Sequence, residues 1–325
     1  MKKMFGLLMM ILCIALLASC QKDTFIIHLQ NSDGTKSKVK VCVTDDIQVV
    51  DQTMRYLSLQ SAKQSELSGF KIDCDMNAFI FGYDMDLDIT MDYDMILSKK
   101  NGLEAKLSTK VQSDALVEQE YYDVRYFGSL ESYPDENSYI YTSCTTSDTQ
   151  SFQKYNTQAV IAYLYSKLKE ESNNLPNDNL FFPHLSQIDS VESFIELFPN
   201  STIAITNLKD PFIQFSYRIS WKDILTNLIG DDEINQSWEN DVLFLSYLKE
   251  IEPLIFSTVF DLNTGLLQLF ECHYDASKLL KIFSTAMNPY SKAAFDITIQ
   301  LEYGDFTISN LVPNVEYEDR TQYLA

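Results

Sequence analysis

The side chains in this 325-residue sequence most suggestive of chemistry are carboxylates. Asp84, Asp86, Asp88, Asp92 and Asp94 offer the hard oxygen ligands that calcium takes. An EF-hand-like calcium loop wants glycine at its sixth position and glutamate at its twelfth; counted from Asp84, those positions hold Ile89 and Met95. Carboxylates spaced along a strand also diverge instead of encircling an ion, so the comb reads as a solvated face that keeps a sheet soluble. Asp261-Leu262-Asn263-Thr264-Gly265 has a similar spacing, but its twelfth position is Cys272 and apolar strands flank it. It reads as a hairpin turn. Asp231-Asp232-Glu233 follows Gly230 and reads as the first turn of a helix, where the macrodipole favours acids. Only three histidines occur, His28, His184 and His273, which removes most routes to a histidine base or metal site. Cys272 and His273 are adjacent, so on a strand they point to opposite faces and cannot act as nucleophile and base for each other. No G-x-S-x-G, H-E-x-x-H, P-loop or dinucleotide fingerprint is present. The chain reads as non-enzymatic, with no cofactor and no metal site expected.

Apolar side chains offer a different chemistry. Met76, Met85, Leu87, Ile89, Met91 and Tyr93 form a stripe at strand spacing. Methionine is flexible and polarizable, which suits a pocket for variable acyl chains; it is also an ordinary filler of an irregular core. Both readings stand at the level of sequence. The stripe is the candidate ligand-binding surface.

The elements that position this stripe are legible from periodicity. Apolar residues fall mostly on even numbers from Phe70 to Ile80 and mostly on odd numbers from Tyr83 to Leu97, with Asp84, Asp86, Asp88, Thr90, Asp92 and Asp94 between the latter. Alternation this long means extended strands with one apolar and one wet face, and the change of phase near Phe81-Gly82 marks a turn or bulge. Lys99-Lys100-Asn101-Gly102 supplies the next turn, and strands are expected over 103–112, 115–126 and 139–143. Upstream, Thr24–Val43 reads as a hairpin and Asp45–Glu66 as a helix with Ile47, Val50, Met54 and Leu57 on one face. Downstream, helices are expected over 158–171, 186–198, 233–250 and 275–287, with a short amphipathic segment over 221–229. Strands are expected over 202–206, 212–220, 254–261, 266–274 and 295–303.

Composition bounds the function. Hydrophobic residues make up 46% of the chain and charged residues 22%, which describes a globular protein. The formal charge of −21 would repel phosphate backbones, so nucleic acid is not an expected partner. At the start of the chain, Lys2 and Lys3 precede an apolar run of 14 residues, Phe5 to Ala18, which is too short to span a bilayer and has the form of a signal sequence. It ends in Leu17-Ala18-Ser19-Cys20, which resembles the bacterial lipobox. The resemblance implies cleavage between Ser19 and Cys20 and acylation of the Cys20 sulfur. It also implies a mature protein held by its acyl chains on the extracytoplasmic face of the cell membrane. Loss of Lys2 and Lys3 would leave 23 basic against 46 acidic residues, a formal −23. Anchoring would then rest on the acyl chains and not on attraction to anionic headgroups. Cys42, Cys74, Cys144 and Cys272 remain; none forms a C-x-x-C pair, and small buried core residues are expected of them in preference to disulfides.

Taken in order, the helix after the lipobox, the Phe70–Leu97 meander, Arg218-Ile219-Ser220-Trp221-Lys222-Asp223-Ile224-Leu225, the block Phe260-Asp261-Leu262-Asn263-Thr264-Gly265-Leu266 and the closing strand resemble the LolA/LppX-type lipoprotein carriers and related Firmicute surface lipoproteins. The hairpin at 24–43 and the region 172–199 look like additions. The resemblance implies an α+β fold in which a large curved antiparallel sheet, an open half-barrel, wraps around helices and leaves an apolar cavity for acyl chains. The expected organisation is a signal peptide over 1–19, an anchor and hairpin over 20–44, and the half-barrel domain over 45–325. The expected partners are the membrane, through the anchor, and a lipid or amphiphile. The alternative expectation is a cell-envelope protein–protein module without a ligand cavity.

Overall fold

The computed structural model describes residues 24–30, 35–64, 67–82, 85–113, 117–132, 134–174, 191–224, 251–278, 291–309 and 312–324. Ser19, Cys20 and the expected helix at 233–250 lie outside these residues, as do 186–190, 225–229 and 279–287 of three other expected segments.

The chain opens with a hairpin of β1 (Phe25–Gln30) and β2 (Lys36–Val41). Alternation puts Ile27, Leu29, Val39 and Val41 on its buried face. Helix α1 (Ile47–Ser61) follows, and it starts where the Asp46 carboxylate accepts the Gln48 N–H at 2.9 Å. Val50, Thr53 and Leu57 recur at helical spacing and are buried. The Thr53 hydroxyl donates to the Val49 carbonyl at 2.6 Å, which lets a polar side chain sit in that stripe. Ile47, expected on the same face, is exposed, one turn ahead of the contact.

The long meander has the expected strands, β3 (Gly69–Gly82), β4 (Met85–Ser98), β5 (Gly102–Ser113), β6 (Val117–Phe127) and β7 (Tyr139–Thr145). One more strand, β8 (Gln150–Asn156), extends it; the sequence there is too polar to show alternation. Helix α2 (Thr157–Asn174) and the short α3 (Val191–Leu197) lead to β9 (Thr202–Lys209) and β10 (Phe212–Ile219). Then come β11 (Leu254–Asp261), β12 (Leu267–Asp275), β13 (Lys292–Tyr303) and the two-residue β14 (Glu318–Asp319). The turn between β11 and β12 needs its glycine. Gly265 has φ +70°, and a Cβ there would stand 2.0 Å from the Leu57 carbonyl oxygen, because the turn lies against α1.

Apart from β1 and β2, the strands form one sheet in the order β14-β8-β7-β6-β5-β4-β3-β13-β12-β11-β10-β9. All neighbours are antiparallel except β14 with β8. Strand β13 lies between β3 and β12 and welds the meander to the late hairpins. The outer strands β14 and β9 are not joined, so the sheet is open. This is a sheet-dominated α+β fold. The buried core lies at the β9 end, where α1, α3 and the β1–β2 hairpin pack on Ile203, Ile205, Leu208, Ile213, Phe215 and Tyr217. The four cysteines are free; Cys272 is buried and the others are half-buried.

Candidate functional site

Register makes the apolar face of the large sheet continuous. One row of directly opposed residues crosses eight strands: Ile203, Tyr217, Phe256, Cys272, Ile297, Met76, Met91 and Thr109. The adjacent row holds Phe215, Thr258, Phe270, Ile299, Cys74, Tyr93 and Leu107. Ile89 stands opposite Ala78 and Leu87 opposite Ile80, in phase with Met91 and Tyr93. The structure therefore brings Met76, Leu87, Ile89, Met91 and Tyr93 to one face. Met85 stands opposite Gly82 at the mouth of the β3–β4 turn.

This face has two halves. Over β9 and β10 it is buried, and aromatic contacts carry it onto β11 and β12, where Phe256, Phe260 and Phe270 are half-buried: Tyr217 stacks on Phe256 at 4.5 Å, Phe215 meets Phe260 edge-on at 5.9 Å, and Phe256 reaches Phe270 at 5.5 Å. Over β3 and β4 every stripe residue whose side chain is described is only half-buried. Burial, with Cys74 opposite, raises the Tyr93 phenol above its ordinary pKa, and burial, with Asp75 and Asp73, raises the Cys74 thiol. The Tyr93 hydroxyl donates to the Met95 sulfur at 3.1 Å, a weak partner that a ligand group could replace.

The reverse face is polar, and some of its carboxylates are held in ion pairs. Arg125 forks onto Asp123 at 2.7–3.1 Å and lies 3.7 Å from Glu104, which in turn holds Lys106 at 3.1 Å. Beside them Asp73 stands directly opposite Asp94, and Asp75 opposite Asp92. Like charges in these positions destabilise a strand pair. Burial raises the Asp75 pKa, with Asp73, Asp92 and Asp94 adding to it, so the folded state holds this proton more tightly than the unfolded chain. The associated stability is full below the ordinary carboxylate pKa and is lost as pH rises through the raised value. Asp75→Asn should therefore stabilise the protein at neutral pH by about 0.5 kcal/mol, a small figure because Asp75 is exposed. The gain should shrink towards about pH 3. Urea midpoints across that range measure it, and a variant weaker than the parent at neutral pH would refute the repulsion.

Among the described residues, no group of three or more His, Cys, Asp or Glu side chains is placed to hold a metal ion. The Asp261 carboxylate instead accepts the Asn263 N–H at 2.7 Å and the Thr264 N–H at 3.4 Å, which fixes the turn. On the polar face of β11 to β13 a shallow cleft of about 530 Å³ is bordered by Ser257, Glu271, His273, Asp296 and Thr298. It contains serine, histidine and aspartate, but they are not coupled as a catalytic set. The Ser257 hydroxyl donates to Glu271 at 3.3 Å, while His273 Nδ1 is committed to Asp296. His273 is exposed and Cys272 is buried, so the adjacent pair is split between faces. Asp231, Asp232, Glu233 and His184 lie outside the described residues.

Sequence periodicity missed one organising residue, Asp223. It is 2% exposed and takes three hydrogen bonds from Asn200 and Ser201. The only sequence sign is an acid within an otherwise amphipathic segment. A scan against protein-family models finds no match to this chain, and a search of curated proteins finds no similar sequence. Among the described residues no helix is long and apolar enough to cross a membrane.

Proposed function

We propose that this chain is a non-enzymatic extracytoplasmic lipoprotein, held on the cell membrane by acylated Cys20, that takes a lipid or amphiphile against the apolar face of its sheet. In this reading the open sheet curves as a half-barrel, in the manner of LolA/LppX-type carriers, and the ligand lies over β3 and β4. One observation carries the proposal. The apolar face continues well past the packed core, and there it presents half-buried Met76, Leu87, Ile89, Met91 and Tyr93. An acyl chain laid on that strip would gain about 0.8 kcal/mol for each methylene removed from water. Methionine would let the strip adapt to chains of different length. Cross-strand neighbours on both sides keep the strip rigid, so a ligand would meet a formed surface.

A second reading, a protein–protein module of the cell envelope, draws on Phe79 and Phe81. They are 42% and 53% exposed on the polar face at the β3–β4 tip, where a partner could cover them. Lipid extraction and mass spectrometry of the purified mature protein separate the two. Acyl lipid should be recovered from the parent and lost from Met76→Asp and Met91→Asp, while Phe79→Ser with Phe81→Ser keeps it. An extract free of lipid from all of them would end the carrier reading and leave the module.

A further inference from the structure

We propose that the outer face of the β1–β2 hairpin is the surface that rests on the membrane, and that it docks on anionic phospholipid headgroups. The inference rests on the reading of Cys20 as the anchor.

Charge is the first argument. In a chain of formal charge −21, Lys36, Lys38 and Lys40 stand at alternate positions of one strand, and all three are exposed. Register sets Lys38 opposite His28 and Lys40 opposite Ile26, which is 58% exposed. Strands β1 and β2 contain no carboxylate, although in sequence Asp33 lies between them and Asp23, Asp45 and Asp46 flank them. Among the described residues none of the three lysines has an ion-pair partner, a condition they share with Lys99, Lys100 and Lys110. Three ammonium groups with an isoleucine beside them fit an anionic headgroup layer: the cations meet phosphates and the apolar side chain enters the interface.

Orientation is the second argument. The other face of the hairpin is locked: Ile27, Leu29, Val39 and Val41 are at most 6% exposed within the core shared with α1, β9 and β10. The lysine face can point only outward. At one end of the hairpin a cleft of about 590 Å³ opens between it and α1, bordered by His28, Lys36, Tyr56 and Lys63, which adds a cationic rim beside the strand.

Reach is the third argument. Phe25 follows Cys20 by five residues. Fully extended, five residues span at most about 17 Å. An acylated Cys20 therefore keeps this hairpin close to the headgroups, within about two screening lengths at physiological salt. The rest of the acidic chain is repelled by the same headgroups. The hairpin would thus turn a loose tether into a defined posture, with the sheet held away from the bilayer.

The test uses the unacylated mature chain and co-sedimentation with vesicles of phosphatidylglycerol in phosphatidylcholine. A lysine near such a surface is worth about fivefold in partition, so Lys36→Glu, Lys38→Glu and Lys40→Glu together should lower binding by roughly 100-fold. Lys99→Glu, Lys100→Glu and Lys110→Glu change the net charge equally at a different place and should leave most of the binding intact. Equal losses in the two triple variants, or equal binding of the parent to phosphatidylcholine alone, would overturn the proposal. Acylation is read separately, from the mass of the Cys20 peptide of the cellular protein. An unmodified cysteine would remove the anchor and leave the vesicle result standing by itself.

Discussion

Phe215→Ala is expected to lower the free energy of unfolding by about 4 kcal/mol, whereas Met91→Ala, on the same face of the same sheet, is expected to cost about 1 kcal/mol. Phe215 is 0% exposed, stands between Ile205 and Thr258 in register, and meets the Phe260 ring at 5.9 Å. Its removal would leave a hole inside the core that β9 and β10 share with α1, α3 and the hairpin, where neighbours relax only in part. Met91 stands between Met76 and Thr109 and is half-buried, so truncating it returns only part of a side chain's burial and opens no sealed void. Urea titrations of the two variants measure the difference. The comparison bears on function because the proposed ligand strip requires a face that the fold leaves uncommitted. If Met91→Ala cost as much as Phe215→Ala, the strip would be core, and a ligand would have nothing to cover.

The same division explains what could be read from the sequence. The even-to-odd shift between Phe70–Ile80 and Tyr83–Leu97 reports two long strands because period two survives wherever one face is wet. A cap at Asp45 or Asp46 and the turn at Asp261–Gly265 were equally readable, since each rests on contacts within a few residues; the structure chooses Asp46. Partnership between distant segments was not. Nothing local in Phe295–Tyr303 says that this strand, besides pairing with the preceding β12, takes β3 from the other end of the meander as its second neighbour. The Asp comb showed as a solvated face, but the opposition of Asp73 with Asp94 and Asp75 with Asp92 exists only once the register is known. Alternation placed Met76, Leu87, Ile89, Met91 and Tyr93 on one face. It could not show that the face is sealed over β9 and β10 and half-open over β3 and β4, because that depends on where α1, α3 and the hairpin pack.

The second large effect is expected at Asp223, where Asp223→Ala should cost about 3 kcal/mol. One carboxylate oxygen accepts the Asn200 N–H at 2.9 Å and the Ser201 hydroxyl at 2.8 Å; the other accepts the Asn200 side-chain amide at 2.6 Å. The Ser201 hydroxyl oxygen in turn accepts the Ser220 N–H at 3.0 Å, so the carboxylate also aligns the group that joins the start of β9 to the end of β10. Alanine would leave the Ser201 hydroxyl, in a site 5% exposed, without its acceptor and would release the exposed Asn200 from both of its bonds. Asparagine keeps one acceptor but turns an N–H₂ towards a donor, so Asp223→Asn should recover only part of the loss. Ser201→Ala removes one relay and should fall between the parent and Asp223→Ala. Thermal and urea unfolding of the three variants test this order. A neutral Asp223→Ala would show that the corner is held by packing on Phe194 and Phe198 and not by the carboxylate. Asp223 lies at the β9 end of the sheet, so the folded fraction of each variant should carry the same amount of lipid as the parent. A loss of lipid from folded Asp223→Ala would move the binding surface off the β3–β4 strip and towards the core.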